Sequence, residues 1–65
     1  MYMVITADEW GIGKTVVEAR KKIECTRKDR HLVYLLENAT FAYVDNGDIV
    51  HDGKTAKVVE RIRGV

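Results

Sequence analysis

The stretch HLVYLLE, residues 31 to 37, is apolar on both of its alternating faces. A strand with that pattern belongs in the middle of a sheet and needs cover above and below. Leu32, Leu35, Leu36 and Ala39 also fit a helical spacing, but Val33 and Tyr34 favour the strand. The demand is severe, because the chain has only 65 residues. A domain of that size buries about 60% of the surface its unfolded chain exposes. Cys25 is the single cysteine, so no internal disulfide can add to a small core. Packing and self-association must supply the rest, and with 46% apolar residues a homodimer is an expectation.

The remaining elements follow from local signals. YMVITA at 2 to 7 is rich in β-branched and aromatic residues and predicts a strand. DEWGIGK at 8 to 14 reads as a loop. TVVE at 15 to 18 is a capping box, in which Thr15 accepts from the amide of Glu18 and the Glu18 carboxylate reaches back to the amide of Thr15. A helix is expected from there to about residue 27, with Ile12, Val16, Ala19 and Ile23 on its apolar side. Glu18–Lys22 and Glu24–Lys28 are spaced to form ion pairs along it. TFAYV at 40 to 44 alternates, and Asn46-Gly47 is the preferred two-residue hairpin turn before a short strand, DIVH. The last segment, KTAKVVERIRG, is ambiguous. Val58, Val59 and Ile62 cluster on a helical face with Gly64 as a C-cap, while Ala56, Val58 and Ile62 fit a strand; helix is the expectation. The chain as a whole predicts one α+β domain over residues 1 to 65. Its expected order is β-α-β-β-β with a short C-terminal helix (or strand), giving one antiparallel-rich sheet with the main helix on one face.

Short motifs advertise chemistry that their surroundings exclude. WGIGKT, between a strand and a helix, sits where a phosphate loop would sit. A Walker-type loop needs glycine five positions before its final Gly-Lys-Thr, and that position is Asp8. A dinucleotide fingerprint starting at Gly11 needs a small residue at 16, which is Val16. Gly11 and Gly13 are therefore expected to turn the chain from strand into helix. DIVHDG fails as a calcium loop, with Val50 and Val59 where oxygen ligands belong. Cys25, His31 and His51 match no zinc spacing. No metal, no cofactor and no enzymatic activity are expected.

Two segments bear on binding. FAYV at 41 to 44 resembles the centre of the first ribonucleoprotein motif of RNA-recognition domains, in which alternate aromatics stack on bases, and Tyr2 would suit the companion motif. The flanking basic residue and glycine of that motif are Ala39 and Thr40 here, and its last aromatic is Asn46. Residues 31 to 52 carry Glu37, Asp45, Asp48 and Asp52 and no Lys or Arg, so this surface repels phosphate. The basic segment 15 to 30 is the better nucleic-acid candidate, through Arg20, Lys21, Arg27 and Lys28. GKTVVEARKKI is similar to the G-x-T-x-x-E-A helix start of HicB-type antitoxins and related small domains, a likeness that carries no functional residue across.

The sequence thus predicts a non-enzymatic interaction module that binds a protein partner, with a small nucleic-acid binder using the basic helix as the alternative. One or two helices cannot cover both faces of a four-stranded sheet, and an uncovered apolar face marks an interface. Trp10, Tyr34, Phe41 and Tyr43 are the candidate partner-binding residues. Trp10 has two possible roles, a plug under the strand-to-helix loop or an exposed anchor at its tip. In size and composition the chain resembles accessory proteins of phages and mobile elements, which act on host proteins. A single unpaired thiol and the absence of a leader or membrane span predict a cytoplasmic location, the host cytoplasm for a phage product.

Overall fold

The computed structural model describes residues 1–23 and 30–62. Among these residues six strands and one short helix follow one another as β1 (Tyr2–Ile5), β2 (Trp10–Gly13), α1 (Val16–Lys21), β3 (His31–Leu36), β4 (Ala42–Asp45), β5 (Asp48–His51) and β6 (Ala56–Ile62). The class is α+β, but strands dominate and the helix is a minor element. Four strands form an antiparallel sheet in the order β2-β1-β3-β6, and β4 and β5 form a separate hairpin. No helix among the described residues is long and apolar enough to cross a membrane.

The expected β-α-β-β-β order is corrected in three places. WGIG is not a loop but strand β2, paired with β1 from Tyr2↔Gly13 to Ile5↔Trp10. Thr6 closes the connection, its amide donating to the Glu9 carbonyl at 2.9 Å and its hydroxyl accepting from the Glu9 amide at 3.0 Å. The final segment is a strand, not a helix, because it pairs with β3 along its length. Segments 40–44 and 48–51 leave the main sheet and make their own two-stranded one.

Register and the alternation of side chains assign the two faces of the main sheet. Tyr2, Val4, Gly11, Gly13, Val33 and Leu35 share one face, and α1 lies on it. Val4, Ala19 and Val33 are fully buried there, with Tyr2, Val16 and Ile23 packed around them. Met3, Ile5, Ile12, Tyr34 and Leu36 share the other, which the β4–β5 hairpin covers. Met3, Leu36 and Ala42 form the buried centre of that layer, flanked by Val44 and Ile49. The double-faced burial demanded by residues 31 to 37 is met at Val33 by the helix and at Tyr34 and Leu36 by the hairpin.

The helix begins where the capping box places it, with one difference. Thr15 Oγ1 accepts from the Glu18 amide at 3.1 Å, while Glu18 Oε2 accepts from the amide of Lys14, not Thr15, at 2.9 Å. Removing the cap through Thr15→Ala is expected to cost about 1 kcal/mol, read as a lower urea midpoint with unchanged slope. The helix ends at Lys21, short of the expected residue 27. Cys25, the Glu24–Lys28 pair and the Gly64 cap lie outside the described residues.

WGIGKT is explained by the helix that lies upon it. A Cβ on Gly11 would stand 2.7 Å from the Ala19 carbonyl oxygen, and one on Gly13 would stand 2.6 Å from Glu18 Cβ and 2.8 Å from the Ala19 amide nitrogen. Both glycines point at α1 from alternate positions of β2, so the helix rests on bare backbone. Their role is close approach of a helix to a strand, not a turn from strand into helix.

Candidate functional site

The β4–β5 hairpin is built to present its outer face. Asn46 and Gly47 both take positive φ, 49° and 85°, the geometry that matches the twist of a tight hairpin. Pairs Ala42↔His51 and Val44↔Ile49 place one row towards the core, leaving Tyr43↔Val50 on the outward row with Phe41 one step beyond. Phe41 is 48% exposed and Tyr43 45%, and their rings stack with centroids 6.4 Å apart. An apolar pair left this open on a small domain is unusual, since the core has every use for aromatic area.

Asp52 holds the pair in place. Its carboxylate accepts from the hydroxyl of Thr40, from the amide of Thr40 at 2.7 Å and from the amide of Phe41 at 3.2 Å. The Thr40 hydroxyl, then the backbone amides, hold its carboxyl below the usual carboxylate range. A carboxyl whose folded pKa is depressed stabilises the fold above its unfolded value, and that contribution disappears as pH falls through the folded value. Acid titration is therefore expected to weaken this clasp only below about pH 3.9, as pH falls towards the lowered folded value. Asp52→Asn should flatten that part of the stability profile, and an unaltered acid limb would show that the clasp contributes nothing. Asp45 and Asp48 flank the tight turn, and no Lys or Arg lies between residues 31 and 53, so the aromatic face has an acidic border.

The other expected site residues fall into different settings. Tyr34 is half-buried against the Met3–Leu36 layer and belongs to the core. Trp10 is not the plug of a core end: it opens β2, is 40% exposed and joins neither buried cluster. Arg20 does not stand on a solvated basic face. Its Nη2 donates to Glu60 Oε1 at 2.7 Å and to His31 Nε2 at 2.9 Å, bridging α1 to β6 and β3. Because guanidinium can only donate, the His31 ring accepts there with Nε2 unprotonated. Lys21 is exposed, while Arg27 and Lys28 lie outside the described residues. The nucleic-acid quartet is thus reduced, among described residues, to one free-standing lysine.

Among the described residues no three His, Cys, Asp or Glu side chains converge as metal ligands. A second group of cations was not anticipated. Arg30 and Arg61, 31 positions apart in the chain, line a single cleft with Ile5, Leu32 and Ile62. Only the pairing of β3 with β6 brings them together, so no local motif could have shown it.

Comparison with known protein families, with curated proteins and with solved structures finds no match to this chain.

Proposed function

We propose that the protein is a non-enzymatic interaction module whose β4–β5 hairpin binds a protein partner through Phe41 and Tyr43. The observation that carries this reading is the stacked, half-exposed aromatic pair, pinned at its base by Asp52. Rigid aromatic anchors lose little conformational freedom on binding and dominate the energetics of contact surfaces. The acidic border selects a partner that surrounds an apolar pocket with Lys or Arg. The same border disfavours nucleic acid, although the aromatic alternation resembles a base-stacking strand.

The test begins by placing a photo-crosslinking amino acid at Val50, beside the aromatic pair, to trap the partner in cells that make the protein. Affinity is then measured with purified partner. The double variant Phe41→Ala/Tyr43→Ala is expected to weaken binding by about 100-fold or more while leaving the urea midpoint close to that of the parent. Binding should persist at high salt. Unchanged affinity in the double variant, or affinity to nucleic acid that collapses steeply with salt, would overturn the proposal.

A further inference from the structure

The hairpin does not cover the whole of its face. Beyond the Ile12–Met3–Tyr34–Val58 row, the register sets Trp10, Ile5, Leu32 and Arg61 side by side across the four strands on that same face. Met3, Ile12 and Ile5 pack against the hairpin-covered layer, whereas Leu32 joins neither buried cluster and Trp10 stays 40% exposed. At the β3–β6 end of this row the surface sinks into a cleft of about 440 Å³, lined by Ile5, Thr6, Leu32 and Ile62 with Arg30 and Arg61. That volume lies within the range of small-molecule sites, which combine apolar walls with a few polar groups.

Among the described residues the charges of the cleft are one-sided: no carboxylate lines it, and neither Arg30 nor Arg61 has a side-chain hydrogen bond or ion pair. His31 also borders it, its ring hydrogen-bonded to Arg20. Glu60, the acidic neighbour of Arg61 in the chain, is bound to Arg20 on the helix side of the sheet. Two arginines, whose guanidiniums carry forked donors suited to a carboxylate, thus line a cleft with an apolar floor and, among the described residues, no anion of its own.

We infer that this cleft binds a small apolar molecule ending in a carboxylate. The head group lies between Arg30 and Arg61, and the apolar body runs over Leu32 and Ile5 towards Trp10. Three inter-strand steps of about 4.8 Å make that strip on the order of 14 Å long, enough for a medium-chain tail. This site is separate from the aromatic face of the hairpin, and neither reading depends on the other.

The probe is decanoate, titrated below its aggregation concentration into isotopically labelled protein, with amide and indole NMR shifts as the readout. The chain has a single tryptophan, so one indole signal reports on the far end of the strip. Saturable shifts of Ile5, Leu32, Ile62 and the Trp10 indole are expected. Arg30→Gln and Arg61→Gln should each weaken binding by about tenfold, and both side chains are exposed, so the fold should be retained. Decanol should bind more weakly than decanoate, and inorganic phosphate more weakly still. Three results would overturn the inference: no saturable shift with decanoate, equal affinity for decanol, or phosphate binding as tightly as decanoate. Unchanged affinity in a folded Arg30→Gln/Arg61→Gln double variant would do the same.

Discussion

Replacing Gly13 by alanine is expected to destabilise the domain by about 3 kcal/mol or more, at the upper end of what overpacking costs. The added methyl would meet the Ala19 amide nitrogen and the Glu18 Cβ, both well inside van der Waals contact. Neither is the free end of a flexible side chain, so α1 must move as a body. Moving it would pull Ala19 away from Val4 and Val33, the buried centre of the helix-covered layer. A chain of this length has a total stability on the order of 3–10 kcal/mol, so much of the population would unfold. Urea denaturation followed by circular dichroism measures the effect. Lys14→Ala, one position on, provides the contrast: its side chain is exposed and its loss should change the midpoint little. A phosphate loop would reverse the order, with Lys14 critical to ligand and Gly13 nearly silent in stability.

Leu36→Ala should cost about 2–5 kcal/mol, the range for emptying a buried leucine site. Leu36 has no exposed surface and sits with Met3 and Ala42 where the hairpin meets the sheet. The backbone amide of Leu36 also donates to the Met1 carbonyl at 2.9 Å, so the site is held on two sides and has little freedom to collapse. The variant should accordingly lose exchange protection in β4 and β5 together with that of the main sheet. Midpoints within about 1 kcal/mol of the parent would mean that the hairpin does not cover this face.

What the sequence conceals here has definite causes. Tyr2–Ile5, His31–Leu36, the Asn46-Gly47 hairpin and the Thr15 cap are written in local chemistry and occur where that chemistry points. Strand β2 is invisible because the residues that would show its alternation, Gly11 and Gly13, had to lose their side chains to admit the helix. Strand β6 is invisible for another reason. Val33 pairs with Glu60 and Tyr34 with Val58, which leaves Val59 as an extra residue in a β-bulge. The bulge inverts the alternation halfway along, so two adjacent valines imitate a helical face. Of the candidate site, Phe41 and Tyr43 are open to solvent and Tyr34 is not, although all three alternate within apolar strands. The choice is made by which rows the hairpin and sheet turn towards each other, information held in their docking and not in either segment. Arg20 illustrates the same limit: its partners, His31 and Glu60, lie 11 and 40 positions away.

The hairpin's place in the chain bears on how such a protein can change over time. Strands β3 and β6 pair as far as Leu36↔Ala56, and beyond them the Lys54 amide donates to the Glu37 carbonyl at 3.1 Å. Thr40 and Asp52 then close the neck of the segment that carries β4 and β5. The hairpin is therefore a folded-over tip on a longer hairpin, entering and leaving at one point. Its inward row, Ala42, Val44 and Ile49, is held to the sheet by packing. Phe41, Tyr43, Val50, Asp45 and Asp48 carry no such obligation. Substitutions there can accumulate, and even a one-for-one graft of the outward positions from another hairpin can be accepted, without disturbing a register set elsewhere. Were this outward row the contact surface proposed above, such a scaffold would let recognition drift quickly while the framework stays under strict constraint.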